Sequence, residues 1–357
     1  MKNGTIYSIQ YIRGIAALLV VFFHFRSNLN GVYAQENLGN LLFRWGEVGV
    51  DAFFLISGFI ICYATRTDKS KISFLLKRFF RIYPVYILFI VIFMAISLSV
   101  GRRISHEDII NAIFILPANY DKGSPFFGYS FLSVAWSLFY EIMFYLLFLL
   151  SMAISHKYRV YICSIVIISF TVLLQLYFNG EFSISARGGI KESNLGIINI
   201  ASSSMMLIFI AGMLLYEVMR NFGDKIANNV NCKLLFYISL ITFTYCYFTG
   251  FNSWHGIDRS ILFIFPLIFS LILLEINNNE RKEIKWLSFL GDISYSLYLC
   301  HLIVALFYRS YGGSFYASSS GFSRLLLLVG TSIVIAYIAH KYIEKPSIKL
   351  CRKILSK

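Results

Sequence analysis

The sequence predicts an all-α, polytopic integral membrane protein with about ten transmembrane helices. Hydrophobic residues occupy 58% of the 357 positions and charged residues only 14%, whereas soluble domains carry about a quarter charged residues. Apolar runs of about 20 residues, the length that crosses the hydrocarbon core as a helix, recur along the whole chain. We predict spans at residues 7–25, 47–65, 83–100, 131–154, 160–178, 197–219, 234–250, 260–276, 287–308 and 322–343.

The distribution of basic residues predicts the orientation of these spans. With both termini in the cytoplasm, the inside segments hold 21 of the 32 lysines and arginines and the outside loops hold 10. This asymmetry follows the positive-inside rule, so the net charge of +14 reflects topology rather than a nucleic-acid partner. We expect a transmembrane domain over residues 1–350 and a short basic cytoplasmic tail over residues 351–357.

The first span carries two ionisable residues on one helix face. Arg13 and His24 are eleven residues apart, which is within about 20° of three full turns and about 16 Å along the axis. An ionisable side chain inside a span is a functional candidate by default. The alternative is that Arg13 snorkels inward and that His24 is an interfacial histidine.

Asp51 opens the second span at the predicted depth of His24. A carboxylate beside an imidazole fixes its tautomer and raises its basicity, so we expect Asp51 to orient His24. The alternative is that Asp51 caps the helix. Ser57 and Gly58 lie deeper in the span, and we interpret both as small residues at a helix contact.

The most basic loop is predicted over residues 66–82. Arg78 and Arg81 within it are three residues apart and share a helical face. Two guanidinium groups at this spacing suit a phosphate-rich ligand. An ordinary positive-inside loop, or contact with anionic lipid, explains the same residues equally well.

Two later spans carry further ionisable groups. Glu141 is near the middle of the fourth span, where a carboxylate must protonate or find a cation, and both catalytic and structural roles are open. His301 in the ninth span either donates to Glu141, lines a pocket or is a core histidine. We expect no functional role for His255, His340 or Glu344 at the span ends and loops. No metal or serine-hydrolase motif is present, so no metal is expected.

Six segments together resemble the membrane-bound acyltransferase family 3. This family O-acylates surface polysaccharides, lipopolysaccharide O-antigens, peptidoglycan and some antibiotics, and the first and fourth segments look closest to its exopolysaccharide-acetylating branch. The segments are Arg13 with His24, residues 49–59, Arg78 to Pro84, Trp136 and Ser137 with Glu141 and Tyr145, Ser294 to Tyr298 with His301, and Glu344-Lys345-Pro346.

The resemblance implies transfer of an acyl group, by default acetyl, from cytoplasmic acetyl-CoA to a hydroxyl of a surface glycan. On this resemblance the acceptor is a lipid-linked or growing glycan on the outer side of the bacterial inner membrane. The resemblance implies catalytic roles for His24, Asp51 and Glu141, donor binding by Arg13, Arg78 and Arg81, and a pocket containing Ser57, Trp136, Ser137, Tyr145, Tyr298 and His301.

In the expected mechanism His24 takes the proton of the acceptor hydroxyl as the hydroxyl attacks the thioester. The donor crosses the bilayer either with its pantetheine arm in a channel between the spans or by a relay through an acylated residue. A proton-coupled exporter of a glycan or lipid is the competing class, although such transporters usually show an internal repeat and none is visible. A non-catalytic scaffold leaves the shared face of Arg13 and His24 unexplained.

Overall fold

The computed structural model describes residues 5–277 and 283–356. The basic positions Lys2, Arg281, Lys282 and Lys357, which contribute to the predicted charge asymmetry, lie outside the described residues. The α-helices are α1 (Tyr7–Phe25), α2 (Leu38–Phe43), α3 (Val48–Ala64), α4 (Lys71–Ser99), α5 (His106–Phe114), α6 (Trp136–Ile154), α7 (Arg159–Asn179), α8 (Ile198–Ala201), α9 (Leu207–Asn229), α10 (Cys232–Thr249), α11 (Ile261–Asn277), α12 (Lys285–Tyr311), α13 (Gly313–Ser318), α14 (Gly321–Ala339) and α15 (Lys345–Leu355).

The structure confirms the predicted class of a multi-pass helical membrane protein. Nine helical segments of the described chain are long and apolar enough to cross a bilayer. The eighth predicted span corresponds to α11, which has 17 residues and contains Pro266. The predicted span at 7–25 coincides with α1.

The third span begins earlier in the structure than the sequence predicted. The predicted loop over 66–82 ends early, because α4 already begins at Lys71 and continues through Pro84 to Ser99. Ser70 caps this helix, since its side chain accepts a hydrogen bond of 3.2 Å from the backbone N–H of Ser73. The predicted basic motif therefore lies on a helix continuous with the span rather than on a loop.

The sixth predicted span begins too early along the chain. Residues 198–206 form the short helix α8 and one turn of 3₁₀-helix, and the long helix α9 begins only at Leu207. Buried polar contacts hold this segment: the carbonyl of Ser202 accepts from Gln175 Nε2 at 2.9 Å, and Ser203 Oγ lies 2.5 Å from Ser124 Oγ. Hydropathy alone could not separate this polar-bonded segment from the helix that follows it.

Helix α1 packs against α3 and α12, while α3 packs in turn against α9. Two glycines allow the α3 and α9 backbones to touch. A Cβ added at Gly58 would lie 2.2 Å from the carbonyl oxygen of Phe209, and one at Gly212 would lie 2.0 Å from that of Leu55. The predicted packing role of Gly58 is therefore confirmed.

The C-terminal segment is one continuous helical element. Helix α14 passes through a π-helical turn at His340–Glu344 into α15, so that residues 351–355 of the predicted tail are helical.

The two ends of the bundle carry different elements. We call the end with the start of α1 and with α15 the terminal face. We call the end with the C-terminus of α1 and with residues 182–191 and 250–260 the distal face.

Candidate active site

An internal cavity of about 170 Å³ lies between α1, α3, α4, α6 and α12. It brings together eight residues that the sequence singled out in five separate segments. They are Arg13, Ser57, Arg78, Arg81, Ser137, Glu141, Tyr145 and Tyr298.

Glu141 is held on the wall of this cavity by two hydroxyl groups. Ser57 Oγ donates to its Oε1 at 3.3 Å, and the hydroxyl of Tyr145 donates to the same oxygen. The helical spacing of Glu141 and Tyr145 explains the second contact. Ser57 thus contributes a polar group to the cavity, and the interpretation of Ser57 as a packing residue alone is wrong.

Arg13 enters the cavity from α1 with two neutral partners. It donates to Gln10 Oε1 at 3.2 Å and to Ser294 Oγ at 3.1 Å. Gln10 in turn donates to Asp292 at 2.6 Å. The guanidinium is therefore positioned by hydrogen bonds to neutral side chains and keeps its charge available to a ligand.

The two arginines of α4 have different surroundings. Arg78 lies over the ring of Tyr145, with 5.4 Å from guanidinium carbon to ring centroid, and its buried Nε has no hydrogen-bond partner among the described residues. Arg81 forms an ion pair with the buried carboxylate of Glu344. A buried donor without a partner is costly, so the Arg78 site suits a ligand with acceptor oxygens.

The sequence assigned no functional role to Glu344 and His340, and that expectation stays a prediction, but the structure gives both residues buried polar partners. Glu344 is fully buried and accepts from Ser296 Oγ at 3.0 Å and from His340 Nδ1 at 2.9 Å, in addition to its pair with Arg81. The Glu344-Lys345-Pro346 ending was the available signal. Its partner on α4 is 263 positions away, which no local pattern could show.

A second cavity of about 340 Å³ opens on the terminal face. It shares Arg13 and Arg81 with the internal cavity, so the two spaces adjoin. Asp292 is the one carboxylate that lines it among the described residues. Its cationic residues are Arg13, Arg81, Lys345, Lys349 and Arg352.

His24 pairs with His301 across α1 and α12. Nδ1 of His24 lies 3.2 Å from Nε2 of His301 and 2.9 Å from the carbonyl oxygen of Val20. His301 Nδ1 faces the carbonyl of Leu297 at 3.3 Å. Because a carbonyl only accepts, both Nδ1 atoms carry hydrogen and His301 Nε2 accepts. This assignment of tautomers leaves the lone pair of His24 on Nε2.

Tyr298 connects the histidine pair to the internal cavity. Its ring centroid is 6.2 Å from that of His301, and Tyr298 also lines the cavity. Its hydroxyl donates to the carbonyl of Val134 at 2.7 Å and lies 3.0 Å from Ser137 Oγ. The histidines therefore lie beside the end of the cavity that is remote from the terminal face.

The predicted contact between Asp51 and His24 is wrong. Within the described chain, Asp51 binds His255 and Ser260 instead: both carboxylate oxygens lie 3.2 Å from His255 Nδ1, and Ser260 Oγ donates to Oδ2 at 2.5 Å. The loop of residues 250–260 folds over the start of α3 and brings these partners in. Residues two hundred positions from Asp51 could not be assigned to it from spacing.

His255 forms a charged cluster with two carboxylates. Its Nε2 lies 3.8 Å from Glu47, while Nδ1 contacts Asp51. Burial disfavours its charge, but Asp51 and Glu47 outweigh burial and raise the pKa of His255 above its ordinary 6.5. Trp136 belongs to this cluster, with its ring 5.4 Å from His255, and it does not line the internal cavity. The expectation that His255 has no functional role stays a prediction, while its contacts with Asp51 and Glu47 give it a structural role that the sequence did not indicate.

These features define a multi-pass membrane protein in which a histidine pair adjoins a cavity lined by cations and hydroxyls. The family comparison identifies the class more closely. Residues 6–341 match the family model described as an acyltransferase domain, so the chain belongs to the acyltransferase family 3 and is an acyltransferase acting on groups other than aminoacyl. The resemblance seen in the sequence is thereby confirmed.

Named relatives agree with this membership at low identity. The chain is 25% identical over 325 residues to the exopolysaccharide production protein ExoZ of Rhizobium meliloti (strain 1021), covering 89% of this chain and 94% of ExoZ. It is 21% identical over 374 residues to the acyltransferase MdmB of Streptomyces mycarofaciens, covering 96% and 92%. A Staphylococcus aureus (strain COL) protein whose name suggests an O-acetyltransferase is 26% identical over 356 residues, covering 89% of this chain and 56% of that relative. No solved structure matches the chain.

Proposed function

We propose that this protein is a transmembrane O-acetyltransferase of the bacterial inner membrane. It moves an acetyl group from cytoplasmic acetyl-CoA to a hydroxyl of a surface glycan on the outer side, with both termini in the cytoplasm. The observation that carries the proposal is the pair of adjoining cation-lined cavities: one opens on the terminal face, and the other is lined by Tyr298, whose ring centroid lies 6.2 Å from that of His301. The names of ExoZ and of the Staphylococcus aureus relative support the glycan and the acetyl group.

The charges of the two adjoining cavities support a phosphorylated donor. The cavity on the terminal face would hold the phosphates of coenzyme A with Lys345, Lys349 and Arg352. Arg13 and Arg81 border both spaces and would guide the pantetheine arm inward. Guanidinium and ammonium groups are the usual protein ligands of phosphate oxygens. The Nε–H of Arg78, which has no hydrogen-bond partner among the described residues, would donate to an oxygen of the same ligand.

In this proposal His24 acts as the general base. Its Nε2 takes the proton of the acceptor hydroxyl as that oxygen attacks the thioester carbonyl carbon. The carbon–sulfur bond breaks, the thiolate of coenzyme A leaves, and the imidazolium returns its proton to this thiolate. His301 positions the ring of His24 through the contact at Nδ1. Glu141, with Ser57 and Tyr145, supplies polar groups beside the donor.

Reconstituted protein tests the proposal directly. Liposomes containing the wild-type protein would receive acetyl-CoA labelled in the acetyl group, with and without glycan extracted from the producing cells. We expect glycan-dependent transfer of label and a matching release of free coenzyme A. The His24→Gln protein serves as the matched inactive control.

The competing exporter gives a different result in the same vesicles. An exporter moves glycan across the membrane without consuming acetyl-CoA. Glycan transport without label in the glycan, or label transfer that is equal in the His24→Gln protein, would overturn the proposal.

A further inference from the structure

A third cavity, the distal pocket, opens on the distal face and has a volume of about 510 Å³. Its size falls within the range of roughly 300–1,000 Å³ that is typical of ligand sites in proteins. It lies beyond the end of α1, at the opposite end of the bundle from the coenzyme A cavities. Guanidinium and indole groups dominate its lining: Arg26, Arg44, Arg187, Arg259, Trp45 and Trp254.

The distal pocket carries an excess of positive charge. Glu47 is its one lining carboxylate among the described residues, and it interacts with His255 as well as with Arg26 and Arg44. Arg259 has Asp258 at 4.0 Å. Arg44 and Arg187 form no ion pair with any described residue. Four guanidinium groups around one space repel each other unless an anion joins them.

The two arginines without ion pairs are held against aromatic rings. The guanidinium carbon of Arg187 lies 4.7 Å from the centre of the Trp254 ring, and that of Arg44 lies 5.1 Å from Trp45. Stacking of this kind orders a guanidinium without neutralising it. The pocket thus presents ordered cations beside large apolar surfaces, an arrangement that suits a ligand with both a ring face and a negative charge.

The distal pocket also lies next to the proposed base. Phe23 lines it, and the ring of Phe23 packs edge-on against His24 with 5.0 Å between centroids. Arg26 follows His24 by two residues and lines the same space. A ligand seated here would approach His24 from the distal face, whereas the donor would approach from the terminal face.

We infer that the distal pocket binds the acceptor and that the acceptor is anionic. Its arginines would hold a carboxylate or phosphate group of the glycan or of its lipid-linked pyrophosphate, and its tryptophans would pack against the sugar rings. The inference rests on the proposed function, since it assigns the acceptor's charge and not the transfer reaction itself.

Binding measurements with charged and uncharged probes test the inference. The purified full-length protein in detergent would be titrated calorimetrically with trigalacturonate, with its fully methyl-esterified form, with geranyl pyrophosphate and with geraniol. We expect at least one anionic probe to bind about tenfold or more tightly than its uncharged counterpart. Preference for trigalacturonate assigns the charge to the sugar, and preference for geranyl pyrophosphate assigns it to the lipid-linked pyrophosphate.

Variants locate the binding in the distal pocket. Arg187→Gln and Arg259→Gln should each weaken binding of the preferred anion about tenfold, the effect of one lost charge-assisted contact of about 1.5 kcal/mol. Arg103→Gln is the matched control, because Arg103 is an exposed arginine outside the lining of the pocket. The inference would be overturned if charged and uncharged probes bound equally well. It would also be overturned if Arg187→Gln and Arg259→Gln bound the preferred anion as tightly as the control Arg103→Gln.

A donor measurement separates this inference from the proposed function. The Arg187→Gln and Arg259→Gln proteins should bind acetyl-CoA as the wild type does, because the donor cavities lie at the other end of the bundle. Wild-type protein that fails to bind acetyl-CoA contradicts the proposed function. Wild-type protein that binds acetyl-CoA and acetylates glycan, but shows no preference for anions, contradicts the inference alone.

Discussion

Two histidine clusters near the distal face differ in the groups that contact each imidazole ring. His24 contacts another imidazole and a carbonyl oxygen through Nδ1, and no hydrogen bond joins its Nε2 to a described residue. His255 has a carboxylate at each ring nitrogen, Asp51 on one side and Glu47 on the other. A base needs a free lone pair, whereas both ring nitrogens of His255 face carboxylates. The first cluster is therefore suited to proton transfer and the second to holding the loop of residues 250–260.

The same distinction separates the two arginines of α4. Arg81 has an internal carboxylate, Glu344, whereas Arg78 has a buried nitrogen without a partner in the described chain. A charged group whose partner is already built into the fold contributes to stability, and a group whose partner is missing from the fold is available to a ligand.

The largest expected effect is the loss of activity in the His24→Gln protein. Glutamine keeps a hydrogen-bonding group but cannot take up a proton, so acetyl incorporation should fall by a factor of about 10²–10⁴. Membranes with equal amounts of inserted protein provide the comparison. His106→Gln, a change at an exposed histidine on α5, should leave the rate unchanged. Near-wild-type activity of the His24→Gln protein would remove His24 from the mechanism.

The Asp51→Asn change tests the structural role of the cluster of Asp51, Glu47 and His255. Asp51 and His255 are buried, and removal of one partner of a buried ion pair typically costs about 3–5 kcal/mol. We expect a clear drop in the thermal stability of the detergent-solubilised protein, with activity per folded molecule retained. Measurement of both quantities separates the two roles. Lost activity at wild-type stability would make Asp51 a catalytic residue and contradict the structural assignment.

Substitutions at Arg78 and Arg81 should have different effects on donor binding and on folding stability. Arg78→Ala should weaken acetyl-CoA binding by about 1.5–3 kcal/mol, the usual cost of a lost charge-assisted contact, with little change in stability. Arg81→Ala should weaken binding and also lower the unfolding temperature, because the buried Glu344 loses its cation. The double change Arg81→Ala with Glu344→Gln should recover stability but not binding. Equal stability of both single variants would contradict the proposed difference.

The smallest expected effect is a dependence of local stability on pH. The pKa of His255 is raised in the folded protein, so its charge stabilises the cluster below the ordinary value of 6.5. This stabilisation is lost as pH rises through the raised pKa. Hydrogen exchange of residues 250–260, corrected for its intrinsic pH dependence, should therefore show weaker protection in alkaline buffer. The Asp51→Asn protein should show a smaller pH dependence of this protection. Protection that does not change with pH in the wild-type protein would contradict the stabilising role of protonated His255.

Much of the candidate site was accessible from sequence because its residues are ionisable or hydroxyl-bearing groups within apolar spans. Arg13, His24, Arg78, Glu141 and Tyr298 stand out for this reason. Their predicted grouping is reflected in the internal cavity and the adjoining histidine pair. Their roles in catalysis and donor binding stay predictions.

The partners of these residues were harder to predict. Asp51 was assigned to His24 because both were placed at one depth in the membrane, but depth does not give rotation about a helix axis. The loop that carries His255 lies about two hundred positions away and reaches Asp51 from the other side. Glu344 likewise reaches Arg81 from the C-terminal helical segment.

The sequence by itself determined the helical membrane class, most of the spans and the family, because burial in hydrocarbon demands long apolar helices and makes each polar exception conspicuous. The tertiary structure decided which ionisable groups meet. It paired His24 with His301, Asp51 with His255 and Arg81 with Glu344, and it collected four arginines from separate segments into the distal pocket. The physical reason is that a span's composition depends on its own contact with lipid, whereas a buried charge is stabilised by atoms from distant parts of the chain.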